Sequence, residues 1–222
     1  MRSAGERTFR LVVFDWDGTL SDSTSIIAEA IQSACRDMGE SIPSDAAARF
    51  VIGLGLSDAI KTVAPGLPAH RHSELADHYR RHYLSREGEI PLFEGARELL
   101  DELHGGGYLL AVATGKSRIG LDRALAYHGL AARFHATRCA DEGYPKPHPD
   151  MLLHLMRRLE VDTSRTLMIG DTTHDMELAR NAGTKALAVS YGAHTLQGLA
   201  GTKPLSTVHS LAEMVAWLRE HG

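Results

Sequence analysis

The sequence predicts an α/β fold, a doubly wound parallel sheet with an α-helical unit inserted after its first strand. Two observations carry that expectation. Short, continuously apolar runs at Leu11–Phe14, Tyr108–Ala113, Thr166–Ile169 and Lys185–Ser190 are separated by segments of helical period. Strands that are apolar on both sides belong to parallel sheets covered on both faces, and right-handed crossovers then wind the helices onto each face. From Ser21 to Leu92, by contrast, no strand pattern occurs, and four helical segments follow one another.

In chain order, residues 8–14 read as the first strand. A helix follows from Asp22 or Ser23 to Gly39, with Ile27, Ala30, Ile31 and Ala34 on its apolar side. Ser44 opens a second helix ending near Gly53, Ser57 caps a third, and Pro68 to Arg86 forms a longer, charged fourth. The alternation then resumes. Residues 95–104 are expected helical, 108–113 strand, 117–128 helix, 134–138 a weaker strand and 149–159 helix. The last part reads as strand 166–169, helix 173–182, strand 185–190 and helix 210–220. The implied domains are 1–20 with 93–222 as an α/β core, and 21–92 as a helical cap standing over the sheet.

In such sheets ligands bind beyond the carboxyl ends of the strands. The first strand runs into Asp15-Trp16-Asp17-Gly18-Thr19. Residues two apart in an extended chain point to one side, so both acids can face one cleft. Two carboxylates that close call for a cation or a shared proton. The second strand ends in Thr114-Gly115-Lys116-Ser117, where a hydroxyl, a glycine and a helix N-terminus suit an oxyanion. Gly115-Lys116-Ser117 is not a P-loop, because position 110, where that motif needs its first glycine, is leucine. Lys146 is held between Pro145 and Pro147 as a rigidly mounted cation. Gly170-Asp171 and Asp175 close the series, the two acids lying at i and i+4 as a helix begins, with the hard oxygen donors that Mg²⁺ prefers.

These four segments, in this order, resemble the four motifs of the haloacid dehalogenase superfamily, most of whose members are phosphatases. The resemblance spans Phe14 to Asp175 and implies a Rossmann-like core whose inserted helices form a cap of the phosphoglycolate phosphatase-like kind. It implies Mg²⁺-dependent hydrolysis of a small phosphate monoester through an aspartyl-phosphate, phosphoglycolate being the best single substrate. Asp15 is then the nucleophile, Asp17 the general acid and base, and Thr114, Gly115 and Lys146 the phosphoryl-binding groups. Asp15, Asp171, Asp175 and Asp17 (through its backbone carbonyl) make up the metal set. Dehalogenases and phosphonatases of the superfamily lack an acid at the position of Asp17, whereas a β-phosphoglucomutase-type mutase keeps it and stays open as an alternative. A phospho-aspartate receiver module fits poorly, having no helical insert.

Within the insert, Arg49 is a candidate for a substrate carboxylate. His78 and His82, one turn apart on a charged helix, read as a solvated face because no acid or cysteine completes a metal set. Composition sets further expectations. A net charge of −4 and a pI near 6.3 give no basic field for nucleic acid or anionic membrane. Residues 1–10 are polar without a leader-like apolar stretch, and no run approaches a membrane span. Cys35 and Cys139 stand in no metal or disulfide pattern. A cytoplasmic enzyme of a small phosphorylated metabolite, monomeric or homodimeric, is expected.

Overall fold

A computed structural model of the chain describes residues 8–222. Six strands, β1 (Leu11–Phe14), β2 (Leu109–Thr114), β3 (Ala136–Cys139), β4 (Thr166–Gly170), β5 (Lys185–Val189) and β6 (Ser206–Val208), form one sheet in the order β3-β2-β1-β4-β5-β6. Every pairing is parallel. Side chains alternate across each strand, and both sides are buried. Val12, Phe14, Val112 and Ile169 pack on one face, with α5 (Ala96–Gly105), α6 (Arg118–His128) and α10 (Leu211–His221). Leu11, Val13, Ala113 and Met168 pack on the other, with α7 (Asp150–Leu159), α8 (Thr173–Ala182) and α9 (Leu196–Gly201). That double burial explains the unbroken apolar runs.

The insert contributes α1 (Thr24–Asp37), α2 (Asp45–Phe50), α3 (Leu56–Val63) and α4 (His72–Leu84), whose apolar sides form their own buried clusters around Ile27, Ile31, Ile60 and Leu75. The two connections to the sheet run side by side, paired at Ser21 and Leu92, with Phe93 N–H donating to the Leu20 carbonyl at 3.0 Å.

Several boundaries differ from the sequence expectation for physical reasons. The third inserted helix starts at Leu56 with Gly55 in the cap position, not Ser57. A Cβ at Gly55 would stand 3.2 Å from the Pro145 side chain, so the chain packs closely at this helix start. The expected helix from Pro68 to Arg86 is split into a 3₁₀ turn at Ala69–Arg71, α4, and a second 3₁₀ turn at Glu87–Glu89. α9 and β6 are additional. They are six and three residues long, too short for periodicity to register.

Candidate active site

β1, β2 and β4 lie adjacent in the sheet, so the loops leaving their carboxyl ends converge. They bring together Asp15, Asp17, Thr114, Asp171 and Asp175, all buried, and Lys146 joins them from the β3–α7 connection. The Lys146 ammonium is 2.7 Å from Asp15 Oδ1 and 2.6 Å from Asp175 Oδ1. Asp175 Oδ2 accepts from the Thr172 hydroxyl at 2.6 Å and the Thr172 N–H at 3.0 Å, an N-terminal capping box for α8. Asp171 Oδ1 accepts from the Thr19 hydroxyl at 2.8 Å, and its Oδ2 from the Ala193 N–H at 2.7 Å. Asp15 Oδ2 alone among these oxygens is buried with no hydrogen-bond partner.

Gly18 has φ +87°, and a Cβ there would stand 2.2 Å from Asp171 Oδ2. Only glycine lets the β1 loop lie against the β4 acid. Trp16, between the two acids, turns into the core at 1% exposure.

Three carboxylates, on Asp15, Asp171 and Asp175, bring ligand atoms within 4.8 Å of one another. Among the described residues, Lys146 is the one ammonium bonded to this set. The imbalance shows in the acids themselves. Burial, then the negative charges of Asp175 and Asp171, push Asp15 well above the usual carboxylate range despite Lys146. Burial and Asp175 raise Asp171 to about 7. An under-compensated, all-oxygen donor set with one oxygen unpartnered fits a hard divalent cation.

The Asp17 side chain stands outside that set. Its Oδ1 accepts from the Ser23 hydroxyl at 2.7 Å, and its two oxygens lie 3.0 and 3.2 Å from Lys116 Nζ. Ser23 occupies the cap position of α1 yet makes no side-chain cap bond, because its hydroxyl serves Asp17 instead. In the sequence, Lys116 carries no mark of this role beyond Gly115-Lys116-Ser117, which is not a P-loop. Its ammonium also donates to the Tyr83 hydroxyl of α4 at 2.7 Å. Burial opposes its charge most strongly, but Asp17 together with the neighbouring Tyr83 and Tyr79 outweighs that and holds Lys116 above its ordinary value.

The inserted helices close over the site. A Cβ on Gly115 would stand 2.6 Å from the carbonyl oxygens of Gly53 and Leu54. The Phe50 carbonyl accepts from the imidazoles of His174, at 2.8 Å, and His194, at 3.0 Å. Arg49 lies on the inserted helices beside Thr24, whose methyl group packs near Gly18. Its guanidinium is held by Asp45 at 2.8 Å, Thr24 at 2.9 Å and Ser25 at 3.1 Å. Thr114, fully buried, accepts from the Lys116 N–H at 3.2 Å and so braces the loop that carries Lys116.

Comparison with known proteins agrees with this arrangement. The family model for haloacid dehalogenase-like hydrolases matches residues 12–189. The chain belongs to that family. It is 38% identical over 211 residues to the probable phosphatase IndB of Dickeya dadantii, covering 92% of this chain and 91% of that protein. It is 28% identical over 220 residues to a phosphoglycolate phosphatase of Vibrio parahaemolyticus, covering 95% and 96%. Among solved structures, a haloacid dehalogenase-like family hydrolase from Streptococcus pneumoniae superposes with a TM-score of 0.81 at 26% identity, over 95% of this chain and 98% of that one. This haloacid dehalogenase-like hydrolase is an enzyme, with a cluster of buried acids at the carboxyl edge of its sheet. No helix among the described residues is long and apolar enough to cross a membrane.

Proposed function

We propose that this hydrolase is a Mg²⁺-dependent phosphatase whose substrate is a small phosphate monoester with a carboxylate on its leaving group, phosphoglycolate above all. The observation that carries the reading is the different surroundings of the two β1 acids. Asp15 sits among carboxylates with an unpartnered oxygen, while Asp17 is set apart and paired with Lys116. One acid is equipped to attack and the other to handle a proton.

Asp15 and Asp171 would hold the metal. Asp175, whose Oδ1 meets the Lys146 ammonium at 2.6 Å while its Oδ2 caps α8, positions Lys146. Bound there, Mg²⁺ supplies the positive charge that keeps Asp15 ionised beside a phosphate dianion. Asp15 attacks phosphorus as the bond to the leaving oxygen breaks, and Asp17 gives that oxygen its proton. In the second step Asp17 takes a proton from the water that attacks phosphorus, and the Asp15–phosphorus bond breaks to release phosphate. Lys146 and Thr114 hold the phosphoryl oxygens as charge shifts between them.

Lys116 supports the substrate assignment. Once Asp17 carries its proton, the buried Lys116 ammonium keeps Tyr83 but loses its counter-charge, a costly state. A carboxylate on the leaving group would restore that charge. The likeness to proteins named phosphoglycolate phosphatase points the same way. Hydrolysis should be assayed with phosphoglycolate, ethyl phosphate and a hexose 1-phosphate, in Mg²⁺ and in EDTA. Metal-dependent release of phosphate, fastest from phosphoglycolate, is expected. Isomerisation of the hexose phosphate without phosphate release would instead make the enzyme a mutase.

A further inference from the structure

The sheet ends at β3, which pairs with β2 alone, and a cleft of about 380 Å³ opens at that edge between α6 and α7. None of the residues placed around the carboxylates lines it. Its α6 wall is balanced in charge, the Arg118 guanidinium meeting Glu142 at 2.7 Å and Asp122 at 3.1 Å. Its α7 wall is not. Asp150, His154 and Arg158 follow one another at i, i+4 intervals on α7 and so share a face. Asp150 meets Arg138 of β3 at 3.1 Å. Arg158 and the His154 ring bond to no other described residue.

Arg138 is the least satisfied of these groups. Only 17% of its side chain is exposed, so the guanidinium has given up most of its water, and its Nε is buried with no hydrogen-bond partner. A desolvated cation with an unused N–H is costly. One carboxylate, on Asp150, therefore stands against the guanidiniums of Arg138 and Arg158. His154 registers the excess. Burial, then the positive charges of Arg138, Arg157 and Arg158, hold its pKa below the ordinary value in spite of Asp150.

We propose that the α7 wall of this cleft is a second anion site, binding a phosphate group through Arg138 and Arg158 with His154 beside it. Each guanidinium offers two parallel N–H groups to a tetrahedral oxyanion, and a dianion offsets two such cations where a carboxylate offsets one. A modest rotation of the Arg138 side chain would turn its unused Nε–H toward the cleft. The volume exceeds what phosphate alone fills and lies in the range of clefts that take small metabolites. The phosphate group is therefore either the free ion or part of a small ester. The two sites are opposite in sign, the acids beneath the inserted helices lacking positive charge and this wall lacking negative charge.

His154 serves as a local reporter in the test. Its ring resonances, assigned by their loss in His154→Gln, are followed by NMR in the full chain with Mg²⁺ during titration with inorganic phosphate at constant ionic strength. Glycerol 2-phosphate is titrated in parallel into Asp15→Asn, which should not turn it over. A saturable shift and a raised His154 pKa are expected, because bound negative charge favours the protonated ring. Tighter binding of the ester assigns the site to a phosphorylated metabolite, and tighter binding of phosphate to the free ion. Arg138→Gln and Arg158→Gln, made separately, should each weaken binding at least about tenfold while p-nitrophenyl phosphate hydrolysis persists. Arg158 is exposed, so its variant reads the site even where Arg138→Gln disturbs the fold. A His154 signal that shows no saturable response to either compound would overturn the proposal. So would saturable binding of unchanged strength in Arg158→Gln.

Discussion

Asp15 and Asp17 are two residues apart, chemically identical and buried to similar degrees, yet they are placed in opposite circumstances. Asp15 shares Lys146 with Asp175 and keeps one oxygen open, while Asp17 is gripped by Ser23 and Lys116. The β-strand period puts both into one cleft, and the side chains arriving from other loops differentiate them. Lys116 is the residue on which substrate choice should turn. In Lys116→Met the ratio of kcat/KM for phosphoglycolate over ethyl phosphate should fall about 10- to 100-fold, the loss expected for a charged hydrogen bond. Turnover of p-nitrophenyl phosphate, with no carboxylate and a good leaving group, should fall far less. An unchanged ratio would show that Lys116 does not contact the leaving group. The sequence could not assign this role, since it depends on Tyr83 and Asp17 arriving from an inserted helix and from β1.

At the scale of elements, the strands and the loops at their ends were legible because each strand is buried on both faces and each hands over to a polar residue of distinctive type. The seam between inserted helices and sheet was not. It is made of backbone carbonyls and imidazoles, as where the Phe50 oxygen meets His174 and His194, and carbonyls leave no mark in a sequence. Burial and the neighbouring His174 also lower the pKa of His194, consistent with a neutral ring that donates to Phe50 while its other nitrogen accepts from Thr173 N–H at 3.0 Å. Gly115 belongs to the same seam. Besides the phosphate approach expected of it, it lets the Gly53–Leu54 backbone lie where a Cβ would stand. Gly115→Ala should therefore hold the inserted helices away from the sheet and lower kcat/KM on the order of 100-fold, as small displacements of positioned groups do. The fold should survive, because the intruding methyl is relieved by opening and not by repacking a core. Wild-type kinetics in this variant would mean that the observed closure is not needed for catalysis.

For the molecule as a whole, the sheet order places the site where three adjacent strands end, and the helices on both faces leave that edge open to the insert. Concentrating acids there has a cost in the metal-free protein. Asp171, raised to about 7 from an ordinary value of 3.8, binds a proton in the folded chain over a pH range where the unfolded chain has released it. Asp15 is displaced in the same direction. Their linkage therefore favours folding at low pH and loses that contribution as pH rises from about 4 through about 7. In EDTA the contribution of these acids should lower the melting temperature across that range, and saturating Mg²⁺ should reverse the loss, most strongly near pH 7. Scanning calorimetry of the metal-free and Mg²⁺-loaded protein across this pH range reads the difference. A Mg²⁺-induced rise that is the same at pH 4 and pH 7 would mean that these acids do not hold the ion.

The central claim, a covalent role for Asp15 and a proton-carrying role for Asp17, is tested most directly in Asp17→Ala supplied with p-nitrophenyl phosphate and Mg²⁺. This leaving group needs no proton, so the first step proceeds, while the water of the second step has lost its base. Mass spectrometry of acid-quenched protein should then find a phosphoryl group on the peptide containing Asp15, and none when Asp15→Asn is added. Continued turnover with that peptide unmodified, or a phosphoryl group carried on another residue, would contradict the account.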